Sequence, residues 1–132
     1  MERGKKYMIY LDTHVILWLY EGLIEKLSTH AVQLIEENDI IISPILQLEL
    51  TYLHETKRIN QSSHHIINEL QSKMGLKLCD CSFDKIVVKA ITLTWTRDPF
   101  DRLIAANAIC NSSKLLTKDR IIRKHTKLAV WD

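Results

Sequence analysis

Glycine and proline are scarce in this chain, at 3 and 2 of 132 residues, so little of it is free for long loops or linkers. Cysteine is scarce too, and its count of 3 is odd. Cys79-x-Cys81 is too close for a zinc hairpin and Cys110 stands alone, which points to a reducing compartment with thiols packed as small apolar groups. No segment approaches the ~18 uncharged apolar residues of a membrane span. The basic opening, residues 1–6, precedes an apolar run as a signal peptide would. Asp12 and His14 break that run and no small-residue cleavage site follows, so a cytoplasmic location with no membrane partner is expected. A net charge of +2 is too small to imply a partner by itself. Internal repeats, low-complexity tracts and composition shifts are all lacking, so residues 1–132 read as a single domain. What is present is an ordinary globular balance, 46% hydrophobic and 26% charged, which excludes disorder, collagen and coiled coil. A chain of this length buries roughly two-thirds of its unfolded surface and needs no staples.

Punctuation along the chain predicts alternating strands and helices. Residues 7–11 are a short apolar run ending at Asp12, and 13–20 have helical spacing through Val15, Trp18 and Leu19. Ser28 can cap a helix carrying Val32, Leu34 and Ile35 that ends near Asn38. Residues 40–42 are a β-branched buried strand, after which Ser43 as N-cap and Pro44 at the first helical position open another helix. Ile66, Ile67, Leu70 and Met74 share a helical face that Gly75 ends. Residues 76–79 are either a short strand or a connection. Residues 86–95 read as a helix, with Ser82 and Asp84 near its start. Asp98-Pro99 opens the next one, down to about Cys110. A strand at 114–117, a helical turn at 119–123 and a last strand at 128–131 follow. Strands separated by helices predict an α/β fold, a parallel sheet covered on both faces, with ligands bound beyond the carboxyl ends of the strands.

Four acids fall near that edge. Asp12 follows the first strand and Asp119 a later one, while Glu49 and Asp101 lie on helices that start from the same side. Clustered carboxylates repel and raise each other's pKa unless a cation neutralises them. An all-oxygen set without Cys or paired His suits Mg²⁺ or Mn²⁺ rather than Zn²⁺. Helix capping accounts for Asp12, Asp119 and Asp101 equally well, since Asp98, Pro99 and Asp101 fit N-cap, N1 and N3. Glu49 resists that account. Its helical neighbours Ile45, Leu46, Tyr52 and Leu53 are largely apolar, so it is either a rim glutamate paired with a Lys or Arg, or a metal ligand. The second suits it better.

Four blocks of sequence carry a resemblance. They are Tyr7-Met8-Ile9-Tyr10-Leu11-Asp12-Thr13-His14, Leu48-Glu49-Leu50, Arg97-Asp98-Pro99-Phe100-Asp101-Arg102-Leu103-Ile104-Ala105-Ala106, and Leu116-Thr117-Lys118-Asp119. In order and spacing the chain resembles the PIN-domain family over essentially its whole length, and most closely the VapC-type toxins of toxin–antitoxin pairs. The resemblance implies a three-layer α/β/α domain with a central parallel sheet of four to five strands. It implies a Mg²⁺- or Mn²⁺-dependent endoribonuclease whose acidic site falls on Asp12, Glu49, Asp101 and Asp119. It also implies an RNA substrate, a cognate antitoxin and a homodimer.

Several neighbours have two readings each. Asp98 either caps its helix or contacts metal, and capping suffices. The Thr13 and Thr117 hydroxyls either orient carboxylates and a metal-bound water or bond within helix and turn. His14 reads as a packing residue and His64-His65 as solvent-facing. Residues 111–132 carry a net +4, and Lys118, Arg120, Arg123 and Lys124 with Arg97 and Arg102 would hold an RNA backbone unless they are simply a solvated face. No RNA-stacking motif is recognisable. Trp18, Leu19, Tyr20 and Leu23 are denser than a core needs and would serve an antitoxin groove or a dimer face. A phospho-receiver domain is disfavoured, because paired acids at the first strand and an accepting Asp ending a middle strand are missing. The remaining alternative is a non-catalytic PIN-like RNA- or protein-binding module, which metal-dependent cleavage would distinguish.

Overall fold

Five short strands, all parallel, form the centre of the computed structural model, which describes residues 7–132. The basic opening at 1–6 lies outside the described residues. The order along the chain is β1 (Met8–Leu11), α1 (Thr13–Glu21), a 3₁₀ turn (Ile24–Lys26), α2 (Thr29–Glu37), β2 (Asp39–Ile42), α3 (Ile45–Glu55), α4 (Ser63–Met74), β3 (Lys77–Leu78), α5 (Phe83–Ile91), α6 (Pro99–Cys110), β4 (Lys114–Leu116), α7 (Arg120–His125) and β5 (Ala129–Val130). The strands lie in the order β3-β2-β1-β4-β5, and their parallel pairing agrees with the expected α/β class.

The central strands form because their residues are apolar on both faces. Ile9, Tyr10 and Leu11, then Ile40, Ile41 and Ile42, then Leu115 and Leu116 are all buried, the continuous pattern of a parallel sheet covered on two sides. Register sets Leu11 opposite Leu116, Ile42 opposite Leu78 and Leu116 opposite Val130, so the carboxyl ends of all five strands are level. The edge strand β3 is exposed and only two residues long, and its Lys77 pairs with Asp39 at 3.6 Å. A short edge carrying a lysine discourages edge-to-edge association.

Helix ends follow the expected chemistry. Asp12, Ser28, Ser62, Asp98 and Asp119 accept backbone N–H bonds as N-caps, and Gly22 and Gly75 end α1 and α4 with φ of 73° and 68°. At α3 the helix starts one residue later than expected, at Ile45, with Pro44 at the boundary and the Ser43 hydroxyl accepting from the Ile45 amide at 3.4 Å. The helix expected over 86–95 runs over Phe83–Ile91 instead. It closes through bonds from Thr92 to Lys89 and from Leu93 to Ala90, and Trp95 leaves to stack on His125, centroids 5.6 Å apart. The strand expected over 128–131 narrows to Ala129–Val130, beyond which the Trp131 carbonyl accepts from the Ser28 hydroxyl. Residues 76–79 do contain a strand, β3.

The cysteines are free, and their placement corrects the expectation that all three pack as apolar groups: Cys79 is buried, Cys81 half-buried and Cys110 exposed at the end of α6. Cys79 also does more than pack. Its sulfur accepts from the Tyr10 hydroxyl and from the amide of the fully buried Asn107, each at 3.1 Å, which ties β1 and α6 to the end of β3. Burial and this sulfur together hold the Tyr10 phenol well above its usual pKa. Among the described residues no helix is long and apolar enough to cross a membrane.

Candidate active site

Strand order reverses between β1 and β4, the position where an open parallel sheet leaves a crevice at its carboxyl edge. Chain exits from these two strands are joined there, with the Asp12 amide donating to the Leu116 carbonyl at 3.2 Å. A cavity of about 400 Å³ lies beyond them. Five carboxylates line it: Asp12, Glu49, Asp98, Asp101 and Asp119. Thr13, His14, Trp18, Ile104, Lys118 and Ile122 complete its walls. The four acids singled out in the sequence are therefore brought together with Asp98, from the ends of β1 and β4 and from α3 and α6.

Each acid is held differently. Asp12 is buried, with one oxygen accepting from the Val15 amide at 3.1 Å and the other from the Thr117 hydroxyl. Burial raises its pKa, and those two hydrogen bonds oppose the rise. Glu49 accepts from the Thr13 hydroxyl, and its pKa is raised by burial first and then by Asp98 and Asp12. Thr13 and Thr117 thus each hold a carboxylate, and Thr117 Oγ1 also accepts from the Asp119 amide at 3.1 Å within the turn. Asp98 Oδ1 caps α6 through the Phe100 and Asp101 amides at 2.8 and 3.4 Å. Asp119 Oδ1 caps α7 through the Ile121 and Ile122 amides at 2.8 and 2.9 Å.

Asp101 is not half of a capping pair. The Asp98 amide donates to the Thr96 hydroxyl at 3.2 Å instead, and the Asp101 carboxyl is pushed up to about 7, first by burial and then by Asp98, Asp119, Glu49 and Asp12. Glu49 is not a rim residue in an ion pair either, since among the described residues no Lys or Arg pairs with any of the five acids. The apolar stripe around it is partly a surface stripe. Leu46 and Leu50 are fully buried, but Tyr52 is 46% exposed and packs on Phe100 at 6.3 Å.

Of the six basic residues read as an RNA surface, Lys118 alone lines the cavity. Arg97 and Arg102 turn away to the carbonyls of Thr94 and Thr96 at 2.9 and 2.8 Å. Arg123 donates to the Lys118 carbonyl at 3.1 Å, and Arg120 and Lys124 lie exposed on α7. His64 and His65 are exposed as expected. His14 and Trp18 are the pocket residues that sequence reasoning missed. Their spacing of four residues from each other on α1, just after Asp12, was the available signal.

The PIN domain family model matches residues 9–128. Ribonuclease VapC22 of Mycobacterium tuberculosis is 33% identical over 129 residues, covering 93% of this chain and 98% of that protein. Two solved structures share the fold. VapBC2 from Rickettsia felis bound to a DNA fragment from its promoter superimposes with a TM-score of 0.70 at 20% identity, covering 96% of this chain and 100% of that one. VapBC-1 from nontypeable Haemophilus influenzae does so with a TM-score of 0.61 at 19% identity, covering 91% and 96%. By family model and by sequence identity over nearly its whole length, this chain belongs to the PIN-domain family.

Proposed function

We propose that the chain is a divalent-metal-dependent endoribonuclease, the toxin of a toxin–antitoxin pair, that hydrolyses RNA phosphodiesters in the cytoplasm. The observation that carries this reading is the set of five carboxylates facing one cavity, none of them in an ion pair with a basic residue among the described residues. Asp12, Glu49, Asp101 and Asp119 would hold Mg²⁺ or Mn²⁺, for which an all-oxygen donor set is suited. Among the described residues no three acid, imidazole or thiol groups are gathered tightly enough to hold an ion as they stand. The raised pKa of Asp101 comes in part from these neighbouring carboxylates, a repulsion that a bound cation would relieve. When bound, such an ion neutralises phosphate charge and lowers the pKa of a water toward neutrality.

This chain's own residues do the rest. Thr117 and Thr13 fix the rotamers of Asp12 and Glu49, and helix caps anchor Asp98 and Asp119 by one oxygen each. With its pKa pushed up to about 7, the Asp101 carboxyl would exchange a proton near neutral pH, and a bound cation would favour its charged form. Lys118 stands on the cavity wall to meet a phosphate oxygen. The name of the relative, a ribonuclease, supports RNA as substrate, and the VapBC names of the structural neighbours support an antitoxin partner. The exposed side chains of Leu48, Tyr52, Val88 and Ile91 offer apolar surface for that partner or for a homodimer.

The test is cleavage of an RNA panel by pure protein with Mg²⁺, with Mn²⁺ and with chelator, alongside Glu49→Gln. The parent cleaves only with metal, and the variant loses cleavage by orders of magnitude. Without metal Glu49→Gln melts no lower than the parent, because one repelling charge is gone, and it gains less from added Mn²⁺. Cleavage by Glu49→Gln at the parent's rate would make Glu49 a structural residue and sink the acidic-site reading.

A further inference from the structure

Trp18 closes one wall of the acidic cavity and centres a cluster that hydrolysis itself leaves unused. Its half-buried indole leans on the buried Trp131, centroids 5.9 Å apart at 60°, and on His14 at 5.9 Å. Two ammonium groups flank it, Lys118 Nζ and Lys26 Nζ, each 6.0 Å from the ring centroid. Neither lysine is in an ion pair among the described residues. Lys118 follows β4 and lines the cavity, while Lys26 is exposed on the 3₁₀ turn and lies outside the cavity lining. Contacts therefore run in a row from the cavity wall at Lys118 through Trp18 to Lys26 outside the cavity lining.

We propose that this row is the binding track for one unpaired nucleotide of an RNA strand beside the phosphodiester to be cut. The base or ribose packs on Trp18, and the flanking phosphates meet Lys118 and Lys26. The proposal rests on the ribonuclease reading and names the form of RNA it takes. An RNA strand must bring repeated negative charge up to five carboxylates, so cations on the adjoining wall are needed to hold it there. A ring face at ~6 Å attracts an ammonium without neutralising it, which leaves the charge available for phosphate. Trp131 already limits the indole's freedom, so little entropy is lost on binding. A base inside a duplex has both faces covered and cannot reach the indole, so the track selects single strands and loops. An antitoxin segment is the other occupant, and the binding experiment below separates the two.

The test is fluorescence anisotropy of a short unstructured RNA with Ca²⁺ in place of Mg²⁺, so that the strand is bound and not consumed. Parent, Trp18→Leu, Trp18→Phe and Lys26→Ala are compared, with thermal melts to confirm folding. Trp18→Leu weakens binding of the single strand about five- to a hundredfold, Trp18→Phe less, and a duplex of the same sequence changes little. Lys26→Ala lowers the salt slope by about 0.7. In cleavage these variants raise KM more than they lower kcat, since none removes an acid. Unchanged affinity in Trp18→Leu with an unchanged slope in Lys26→Ala overturns the track, while metal-dependent cleavage by the parent leaves the ribonuclease reading standing. Equal losses for duplex and single strand overturn it too, as does loss of antitoxin binding with RNA affinity intact. Should Trp18→Leu fail to fold, Trp18→Phe and Lys26→Ala decide the matter.

Discussion

Asp101 shows how a single carboxyl records its surroundings. Unfolded, it titrates near ~4. In the fold it is pushed up to about 7 by burial and by four neighbouring acids. Between those values the folded state binds more protons than the unfolded one, so metal-free stability falls as pH rises from about 4 to about 7. The raised pKa values of Asp12 and Glu49 act in the same direction. Melting midpoints across that range in chelator should therefore decline more steeply for the parent than for Asp101→Asn. Equal slopes would mean that Asp101 is not strained. Capping arithmetic around Asp98 and Pro99 left Asp101 undecided in the sequence, because position N3 suits a capping partner as well as a ligand. The Thr96 hydroxyl decided it by taking the Asp98 amide, a contact that no spacing rule contains.

At the level of elements, α6 couples folding to the site. Asp98 caps it, and three residues later the same first turn carries Asp101. Asp98→Ala should cost about 1 kcal/mol and fray that turn, whereas Asp98→Ser keeps a cap and most of the stability. Denaturant melts and cleavage rates measured on both separate the cap from the charge. Loss of cleavage in Asp98→Ala alone assigns Asp98 to holding Asp101, and equal loss in both assigns its charge a part of its own. Helix starts were legible here because caps and Pro99 are local signals. The end of α5 was not, since the stacking of Trp95 on His125 pulls it out of a helical pattern it otherwise satisfies.

Across the whole molecule, the β1–β4 junction is where the buried core meets the candidate site. Leu116 is fully buried in β4, and its carbonyl receives the Asp12 amide at 3.2 Å. Leu116→Ala should cost ~2–5 kcal/mol, a large share of the roughly 5–15 kcal/mol available to a domain. At temperatures where the variant remains folded, cleavage should fall as well, because Asp12 and Thr117 both leave this junction. Equilibrium urea unfolding paired with cleavage assays checks this. A variant of full activity and reduced stability would show that the acids tolerate movement of the strands beneath them.

The α/β class, the places of most elements and the four acids were determined by the sequence alone. Buried strands, caps and carboxylates at strand ends are written in neighbouring residues. Glu49 was singled out because an acid among Ile45, Leu46, Tyr52 and Leu53 violates the pattern of a surface helix. Only tertiary structure decided which cations share the cavity. Arg97 and Arg102 sit beside the acidic motif in sequence, yet their guanidinium groups are spent on the carbonyls of Thr94 and Thr96. Lys118, less conspicuous, lines the site. The same holds for Trp18, which periodicity alone makes an apolar residue of α1. Its place against Lys118 and Trp131 depends on contacts between opposite ends of the chain, and local pattern carries no record of them.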